Sequence, residues 1–348
     1  MCGRSLLSGM RSRNTAAIDA ARSGNRNRPI PEKRGDVFAL IVQRLIICVP
    51  VLLGVLLIGF LLLQVVPTDP AIILAGPTAS QAEVEAIRQQ LGLDRPLWEQ
   101  FVLYLLRVLQ FDLGRSMISN RPVVDELGLT LGPTFELMLA CLVWAIPVGI
   151  ALGTLAARRR GQWIDRVIMA FSVAGVSMPI FVVGLLLIQY VGGAGLLPFQ
   201  GRDGPLWTSA GLLSIILPAL TLGAVFIGPV ARMTRTSVLE TLGADYVRTA
   251  RAKGASERQV ILHHALRNAL IPVVTLIGLQ IGFLLGGAVV TETMYSWPGV
   301  GRMAVGAISS RDFPVAQGAI MMLAISFLAI NLVVDVLYGY LDPRIGQR

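Results

Sequence analysis

Six long apolar stretches divide this sequence, and they constrain the fold more than any other feature does. A membrane-spanning helix needs about 20 mostly apolar residues, because each residue adds about 1.5 Å and the hydrocarbon layer is about 30 Å thick. Hydrophobic residues make up 54% of the chain and charged residues 15%, against about 25% charged in a typical soluble domain. We therefore predict an all-α integral membrane protein with six transmembrane helices. The predicted spans are 40–66, 131–157, 167–191, 210–230, 270–290 and 316–341.

Basic residues between the spans predict which segments face the cytoplasm, because cytoplasmic loops carry an excess of Lys and Arg. They fall between spans two and three, between spans four and five, and near both termini, so the N and C termini are predicted to be cytoplasmic. This topology explains the net charge of +9, and we expect no nucleic-acid partner because the charges do not form one polar face. The residues are Arg158, Arg159, Arg160, Arg166, Arg232, Arg235, Arg248, Arg251, Lys253, Arg258, Arg267, Arg344 and Arg348.

The chain divides into a polar extension and a transmembrane domain. Residues 1–37 are basic and have little apolar surface to bury, so we predict a disordered cytoplasmic extension. Residues 38–345 form the transmembrane domain, with an external helical loop at 67–130 and a cytoplasmic loop at 236–269. The first apolar run is too long for the core of a cleaved signal peptide, which has about 7–15 residues, and is predicted to remain as a span.

The external loop is predicted to contain two short helices. Ser80 and Glu83 have the spacing of a capping box, and Gly92 can end that helix. Asp94 is predicted to cap a second helix with Pro96 in its first turn. The two helices either pack over the outer mouth of the bundle or lie at the lipid interface, and both arrangements fit the sequence. The apolar face of the second helix comprises Leu97, Phe101, Leu105 and Val108.

Two ionisable residues lie inside the predicted spans, Glu136 near the outer end of span two and Asp335 near the inner end of span six. An intramembrane charge is a functional candidate because it is costly to bury. We favour packing or pairing roles for both, since two isolated carboxylates make a poor proton relay. A membrane-embedded enzyme is disfavoured too, because no catalytic motif is visible and the adjacent His263 and His264 point in different directions on a helix.

The cytoplasmic loop between spans four and five is long, basic and helical in pattern. Residues 237–253 are predicted to form one helix that ends at Gly254, and Ser256 and Gln259 have the capping-box spacing that starts a second helix. Ala250 and Ala252 allow close approach of another surface beside cationic residues. The resulting hairpin is either a docking lever for a partner protein or an interfacial pair of helices held by anionic lipid.

This loop resembles the coupling loop of ATP-binding-cassette (ABC) importer permeases, and more narrowly that of the first permease subunit of the dipeptide, oligopeptide and nickel class. Gly254 and Ala250 match the family pattern, whereas Arg248 replaces its Glu and Thr249 its first Ala. Pro272 falls five residues beyond the general spacing. The residues that the resemblance assigns to ATPase coupling are Asp245, Arg248, Thr249, Ala250, Ala252, Lys253, Gly254 and Ser256.

Further stretches between residues 40 and 345 are similar to the same subgroup. They are 91–97, 112–116, 292–302, 311–318 and 331–345. An external or gate motif is assigned by this resemblance to Trp297, Pro298, Gly299, Gly301 and Arg302.

The resemblance implies a type I ABC importer permease fold in the cytoplasmic (inner) membrane and transport of a peptide or related solute by alternating access. It implies a second permease subunit, two ATPase subunits and an extracytoplasmic substrate-binding protein as partners. No cofactor is expected in this chain, because its two lysines, Lys33 and Lys253, fit no phosphate loop and ATP is bound by the partners. The alternative is a stand-alone ion-coupled carrier, for which we would expect inverted repeats.

Overall fold

The computed structural model describes residues 33–65, 70–76 and 79–341, and all regular elements within them are helices. Two compact units divide the chain, Met1–Gln43 and Arg44–Arg348. Of the predicted extension, residues 1–32 lie outside the described part, and residues 33–37 are already helical rather than disordered. The helices are α1 (Lys33–Val65), α2 (Pro70–Ala75), α3 (Gln81–Leu91), α4 (Leu97–Leu109), α5 (Val123–Arg158), α6 (Trp163–Ser177), α7 (Ile180–Leu187), α8 (Ser209–Leu242), α9 (Asp245–Ala252), α10 (Glu257–Gln259), α11 (Leu266–Met294), α12 (Val300–Ser310) and α13 (Phe313–Leu341).

Five helices of the described chain are long and apolar enough to cross a membrane, and a bent pair makes up to six. The bent pair is α6 with α7, continued by a π-helical turn at Ile188–Gly192, and its two halves meet at 105°. Pro179 explains the break, because it pushes the preceding residue out of the α region, and Met178 has an extended ψ of 127°. The number of spans agrees with the prediction, and the third span, predicted at 167–191, is broken at Pro179.

Several helices extend past the predicted membrane boundaries. Helix α5 begins at Val123 instead of residue 131, α8 continues to Leu242 instead of ending at 230, and α11 continues to Met294 instead of 290. Hydropathy marks where the lipid ends, whereas helical hydrogen bonding continues into the aqueous region. The extended parts of these helices contain polar residues that the predicted span boundaries had placed in loops.

The capping box of α3 is confirmed: the Ser80 N–H donates to Glu83 Oε2 at 2.7 Å, and Gly92 ends the helix with φ 69°. The predicted cap at Asp94 is wrong. Helix α4 begins at Leu97 with Pro96 as its N-cap and no side-chain capping bond. The extended ψ of Pro96, 145°, starts the helix too late for Asp94 to reach its first amides.

Helix α4 packs against α1 through aromatic rings. The Phe60 ring lies 5.6 Å from that of Phe101 and 6.1 Å from that of Tyr104. Burial raises the pKa of Tyr104 to about 12. Helix α4 also exposes Trp98 and Leu109, which lie to the side of this contact. Helix α4 is therefore apolar on two sides, of which the structure shows one in contact with a span.

The core lies along α5, α8 and α11, which share a buried cluster that includes Leu137, Phe226 and Ile277. A smaller cluster joins the first turns of α5 to α12 and α13 at the outer end, and another joins α5, α8 and α11 at the inner end. Close packing is shown by Gly153 of α5, where an added Cβ would overlap the Ala231 carbonyl oxygen. Small residues of this kind let membrane helices approach each other.

Candidate functional site

The cytoplasmic hairpin, which we define as residues 245–265, begins at a break that the sequence did not predict. Helix α8 ends at Leu242, Gly243 follows, and Ala244 has an extended ψ of 149° before α9 starts at Asp245. The single helix predicted at 237–253 is therefore wrong. Glycine costs helix stability and Ala244 leaves the α region, so α9 can take a direction different from that of the span before it.

The turn of the hairpin is close to the prediction. Lys253 ends α9, and Gly254 has φ +84°, a conformation that favours glycine. The capping box at Ser256 is confirmed, with the Ser256 N–H donating to Gln259 Oε1 at 3.1 Å. Arg251 of α9 donates to Glu257 across the turn at 2.8 Å and 3.4 Å. This charge pair and the two caps fix the angle between the two arms.

The hairpin is joined firmly to the first turns of α11. The Tyr246 hydroxyl accepts a hydrogen bond from Asn268 Nδ2 at 2.8 Å and donates to the His264 carbonyl oxygen at 3.4 Å. Val247 of α9 and Val260 of the π-helical turn Val260–Ala265 are fully buried. A displacement of α9 is therefore transmitted to α11 through packed side chains and hydrogen bonds.

The remaining predicted coupling residues form the free surface of the hairpin. The side chain of Arg248 is 74% exposed, and its ion pair with Asp245 is long, at 3.6 Å. Thr249, Ala252, Lys253 and Ser256 are also exposed, and Ala250 is half-buried. The predicted coupling residues thus lie on this exposed surface or at the Gly254 turn. The prediction did not include the anchoring residues Tyr246 and Val247, because nothing in the sequence distinguishes them.

A second cluster of polar residues is buried at the other end of α11, where the predicted gate motif begins. Glu292 is fully buried. Thr134 Oγ1 of α5 donates to Glu292 Oε1 at 2.7 Å and accepts from the Val300 N–H at 2.9 Å. The Arg302 N–H donates to Glu292 Oε2 at 3.1 Å. We name these four residues, Thr134, Glu292, Val300 and Arg302, the outer lock.

The lock supplies the N-terminal cap that α12 lacks in its own sequence. The N-cap residue of α12 is Gly299, which has no side chain to bond the first amides. The carboxyl group of Glu292 and the hydroxyl of Thr134 take that role, since they accept hydrogen bonds from the Arg302 and Val300 N–H groups. Spans two and five and α12 are thereby tied together.

The glycines and tryptophan of the predicted gate motif have structural reasons to be there. A Cβ added at Gly299 would overlap the Glu292 carboxyl group, and one added at Gly301 would lie 2.6 Å from the Val289 Cα. The fully buried Trp297 donates from Nε1 to the Pro133 carbonyl oxygen at 2.8 Å. The Arg302 guanidinium binds the Ser296 carbonyl oxygen, and Pro298 is exposed.

The intramembrane carboxylates are paired in the described part of the chain. Glu136 receives two bonds of 2.9 Å from Arg202, and Asp335 lies 3.0 Å from Arg44. Two further carboxylates lie on the parts of α11 and α6 that extend past the predicted spans. Glu292 belongs to the outer lock, and Asp165 receives bonds of 2.6 Å and 2.8 Å from Arg235.

Helix α11 connects the two clusters. It has 29 residues and is therefore about 43 Å long at about 1.5 Å per residue. The hairpin lies at its first turn and the outer lock at its last. Neither cluster offers metal chemistry: no group of three His, Cys, Asp or Glu side chains in the described residues could hold a metal ion.

Comparisons with known proteins match this architecture. Residues 149–347 match the family described as "Binding-protein-dependent transport system inner membrane component", and residues 37–130 match the N-terminal family "Binding-prot-dependent transport system membrane comp, N-term". The glutathione transport system permease protein GsiC of Escherichia coli O6:H1 is 47% identical over 309 residues, covering 88% of this chain and 99% of that protein. GsiC of Shigella flexneri serotype 5b is 46% identical over the same length.

A solved structure supports the fold. An inward-facing form of the MetNI methionine ABC transporter has a chain that aligns with a TM-score of 0.50 at 18% identity, covering 62% of this chain and 96% of that one. The family match covers more than half of this chain, and the permease relatives are covered almost end to end. The chain therefore belongs to the binding-protein-dependent transport system inner membrane components, as an inner-membrane permease subunit of an ABC importer in the peptide, oligopeptide and nickel class, with ATP hydrolysis on separate subunits.

Proposed function

We propose that this chain is one of two different permease subunits of an importer that brings a small peptide into the cytoplasm by alternating access. The substrate class is supported by the relatives, which are named for transport of glutathione, itself a peptide. Two ATPase subunits, a second permease subunit and an extracytoplasmic binding protein complete the assembly in this proposal.

The observation that carries the proposal is the link between the hairpin and α11. Helix α9 presents an exposed, basic surface, yet it is anchored by the Tyr246–Asn268 hydrogen bond of 2.8 Å and by the buried Val247. A surface that is free on one side and fixed to a span on the other is suited to receive a push from an ATPase. An interfacial helix held only by lipid would not need this anchor.

In the proposed mechanism, ATP-driven closure of the ATPases displaces α9, and its anchors pass the displacement to α11. Since the outer lock joins the far end of α11 to α5 and α12, these three segments move together at the outer side. A contact between an ATPase and the hairpin can thus change the outer face of the permease about 40 Å away. Coupling of this kind requires an element with two arrangements, here the hairpin with α11.

The carrier alternative has less support. An ion-coupled carrier needs an intramembrane acid that can exchange its ion or proton. Glu136 and Asp335, the two carboxylates inside the predicted spans, are each held by an arginine instead, and the buried Glu292 is held by the outer lock.

The proposal is tested by uptake of radiolabelled glutathione, a dipeptide and an oligopeptide in cells that express the chain with its genomic neighbours. Gly254→Val places a β-branched residue at φ +84°, and we expect it to reduce uptake at least tenfold while the chain still inserts into the membrane. Gly254→Asn is the matched control, because Asn tolerates this conformation better, and it should retain most activity.

Three results would each contradict a part of the proposal. Uptake that needs no ATPase partner, or that proceeds without ATP in liposomes, favours the carrier. Normal uptake by the Gly254→Val variant shows that the hairpin is not the lever. Transport of a metal chelate with no response to any peptide would leave the permease assignment intact and refute the substrate class.

A further inference from the structure

The turn between α5 and α6 carries four exposed arginines that have no role in the proposed transport mechanism. We name residues 158–166 the arginine turn. Arg159 donates to Gln162 Oε1 at 3.3 Å, and Arg166 donates to the Gly161 carbonyl oxygen at 3.2 Å. Within the described residues, none of Arg158, Arg159, Arg160 and Arg166 forms an ion pair with a carboxylate. Arg160 lies close enough to Asp165 to interact with it electrostatically, but no ion pair holds the four guanidinium groups, and the turn presents exposed positive charge.

The one acid in the turn is already used by another helix. Asp165 is buried, receives two bonds from Arg235 of α8 at 2.6 Å and 2.8 Å, and accepts from the Gly161 N–H at 2.9 Å. These bonds fix the turn against the inner end of α8. They also leave the exposed arginines to act on a molecule outside the chain.

The amino end of α6 adds a second attraction for an anion. Helix α6 has 15 residues, and its N-cap, Gln162, makes no side-chain capping bond. The first amides of a helix lack intrahelical partners and carry the positive end of its dipole. Asp165 bonds Gly161, which precedes the helix, so it does not satisfy those amides.

An apolar surface adjoins the positive charge. Trp163 is 70% exposed, and Val167 and Phe171 on the following turns of α6 are exposed as well. Tryptophan is enriched where membrane meets water, so the arginines beside it lie at the level of the lipid headgroups. A ligand that fits this surface has an anionic head and an apolar tail.

We propose that the arginine turn binds an anionic phospholipid of the cytoplasmic leaflet. The phosphodiester lies against the arginines and the first amides of α6, and the acyl chain lies along Trp163 and Phe171. A basic cluster directly at the cytoplasmic end of a span is typical of such sites. Because Asp165 joins the turn to α8, a bound lipid holds the inner ends of spans two, three and four together.

The test is a titration of the full-length chain, purified in mild detergent, with phosphatidylglycerol or with zwitterionic phosphatidylcholine. Thermal unfolding and native mass spectrometry report stabilisation and bound lipid. We expect phosphatidylglycerol to stabilise the chain and phosphatidylcholine not to do so. The triple variant Arg159→Gln, Arg160→Gln, Arg166→Gln should need roughly a hundredfold more phosphatidylglycerol for the same effect, because about fivefold per basic residue at a lipid surface multiplies over three residues.

A second triple variant controls for charge. Arg95→Gln, Arg107→Gln and Arg121→Gln remove the same charge from the external loop and should leave the titration unchanged. If the glutamine variant does not fold, the variant Arg159→Lys, Arg160→Lys, Arg166→Lys should fold and retain the response. Added salt should weaken the response of the unaltered chain.

Several outcomes would overturn the proposal. One is an unchanged titration in the glutamine variant, and another is equal stabilisation by phosphatidylcholine. Saturation by inorganic phosphate alone would reveal a site for free phosphate. If the triple glutamine variant loses ATPase copurification while its response to lipid is unchanged, the turn is a protein interface instead.

Discussion

Replacing Thr134 with Val should release α12 from the outer lock. Val has the shape of Thr without its hydroxyl, so Glu292 loses a donor at 2.7 Å and the buried Val300 N–H loses its acceptor at 2.9 Å. Leaving a buried polar group without a partner costs about 1–3 kcal/mol. The two lost bonds together predict a local destabilisation of about 3 kcal/mol at the start of α12.

Hydrogen–deuterium exchange of the first α12 amides measures this directly. A local free-energy change of about 3 kcal/mol corresponds to exchange faster by roughly a hundredfold, since a factor of ten is about 1.4 kcal/mol. Thr293→Val is the matched control, next to Glu292 on α11, because the exposed Thr293 hydroxyl donates to the Val289 carbonyl oxygen of its own helix at 2.8 Å. We expect it to change exchange at α12 by less than about threefold.

The reasoning is refuted if the α12 amides exchange at the same rate in Thr134→Val as in the control variant. That result would mean that packing around Trp297 holds α12, and that the carboxylate contributes little. An intermediate test is Glu292→Gln, which keeps an acceptor for one bond and should expose α12 less than Thr134→Val does.

Three further predictions address the other contacts. Tyr246→Phe removes the hydrogen bond that anchors α9 to α11 and should cost about 1 kcal/mol of stability. We expect reduced uptake with ATPase copurification retained. A full loss of copurification would show instead that Tyr246 contacts the partner. Arg235→Gln leaves the buried Asp165 without its partner and should destabilise the chain by about 3 kcal/mol, and the added change Asp165→Asn should restore part of the lost thermal stability; no restoration would contradict the ion-pair argument. The backbone N–H and the hydroxyl of Ser80 hold the pKa of Glu83 below its usual value of 4.5, so the box stabilises α3 above that pH and loses its effect as the pH falls through the lower folded value. Glu83→Gln should abolish the pH-dependent part of α3 protection in exchange measurements, whereas Ser80→Ala should only reduce it, because the backbone N–H at position 80 remains.

Local chemistry explains why some details could be predicted from the sequence. Capping boxes at Ser80 and Ser256 and the left-handed turns at Gly92 and Gly254 depend on side chains within four residues of each other, so their spacing is sufficient. The prediction that Asp94 caps α4 was wrong because the extended conformation of Pro96 decides where that helix starts. The same local effect at Pro179 bent span three, where hydropathy alone gives one apolar run.

Sequence by itself determined that the chain is an all-helical membrane protein, how many apolar runs it has, and that its cytoplasmic loop resembles a coupling loop. Those properties follow from composition, period and short spacing. Tertiary structure alone decided that Thr134 meets Glu292 across 158 positions, and that Asp165 meets Arg235 across 70. Helix packing sets such distances, because buried polar groups on separate helices must find partners where the helices cross.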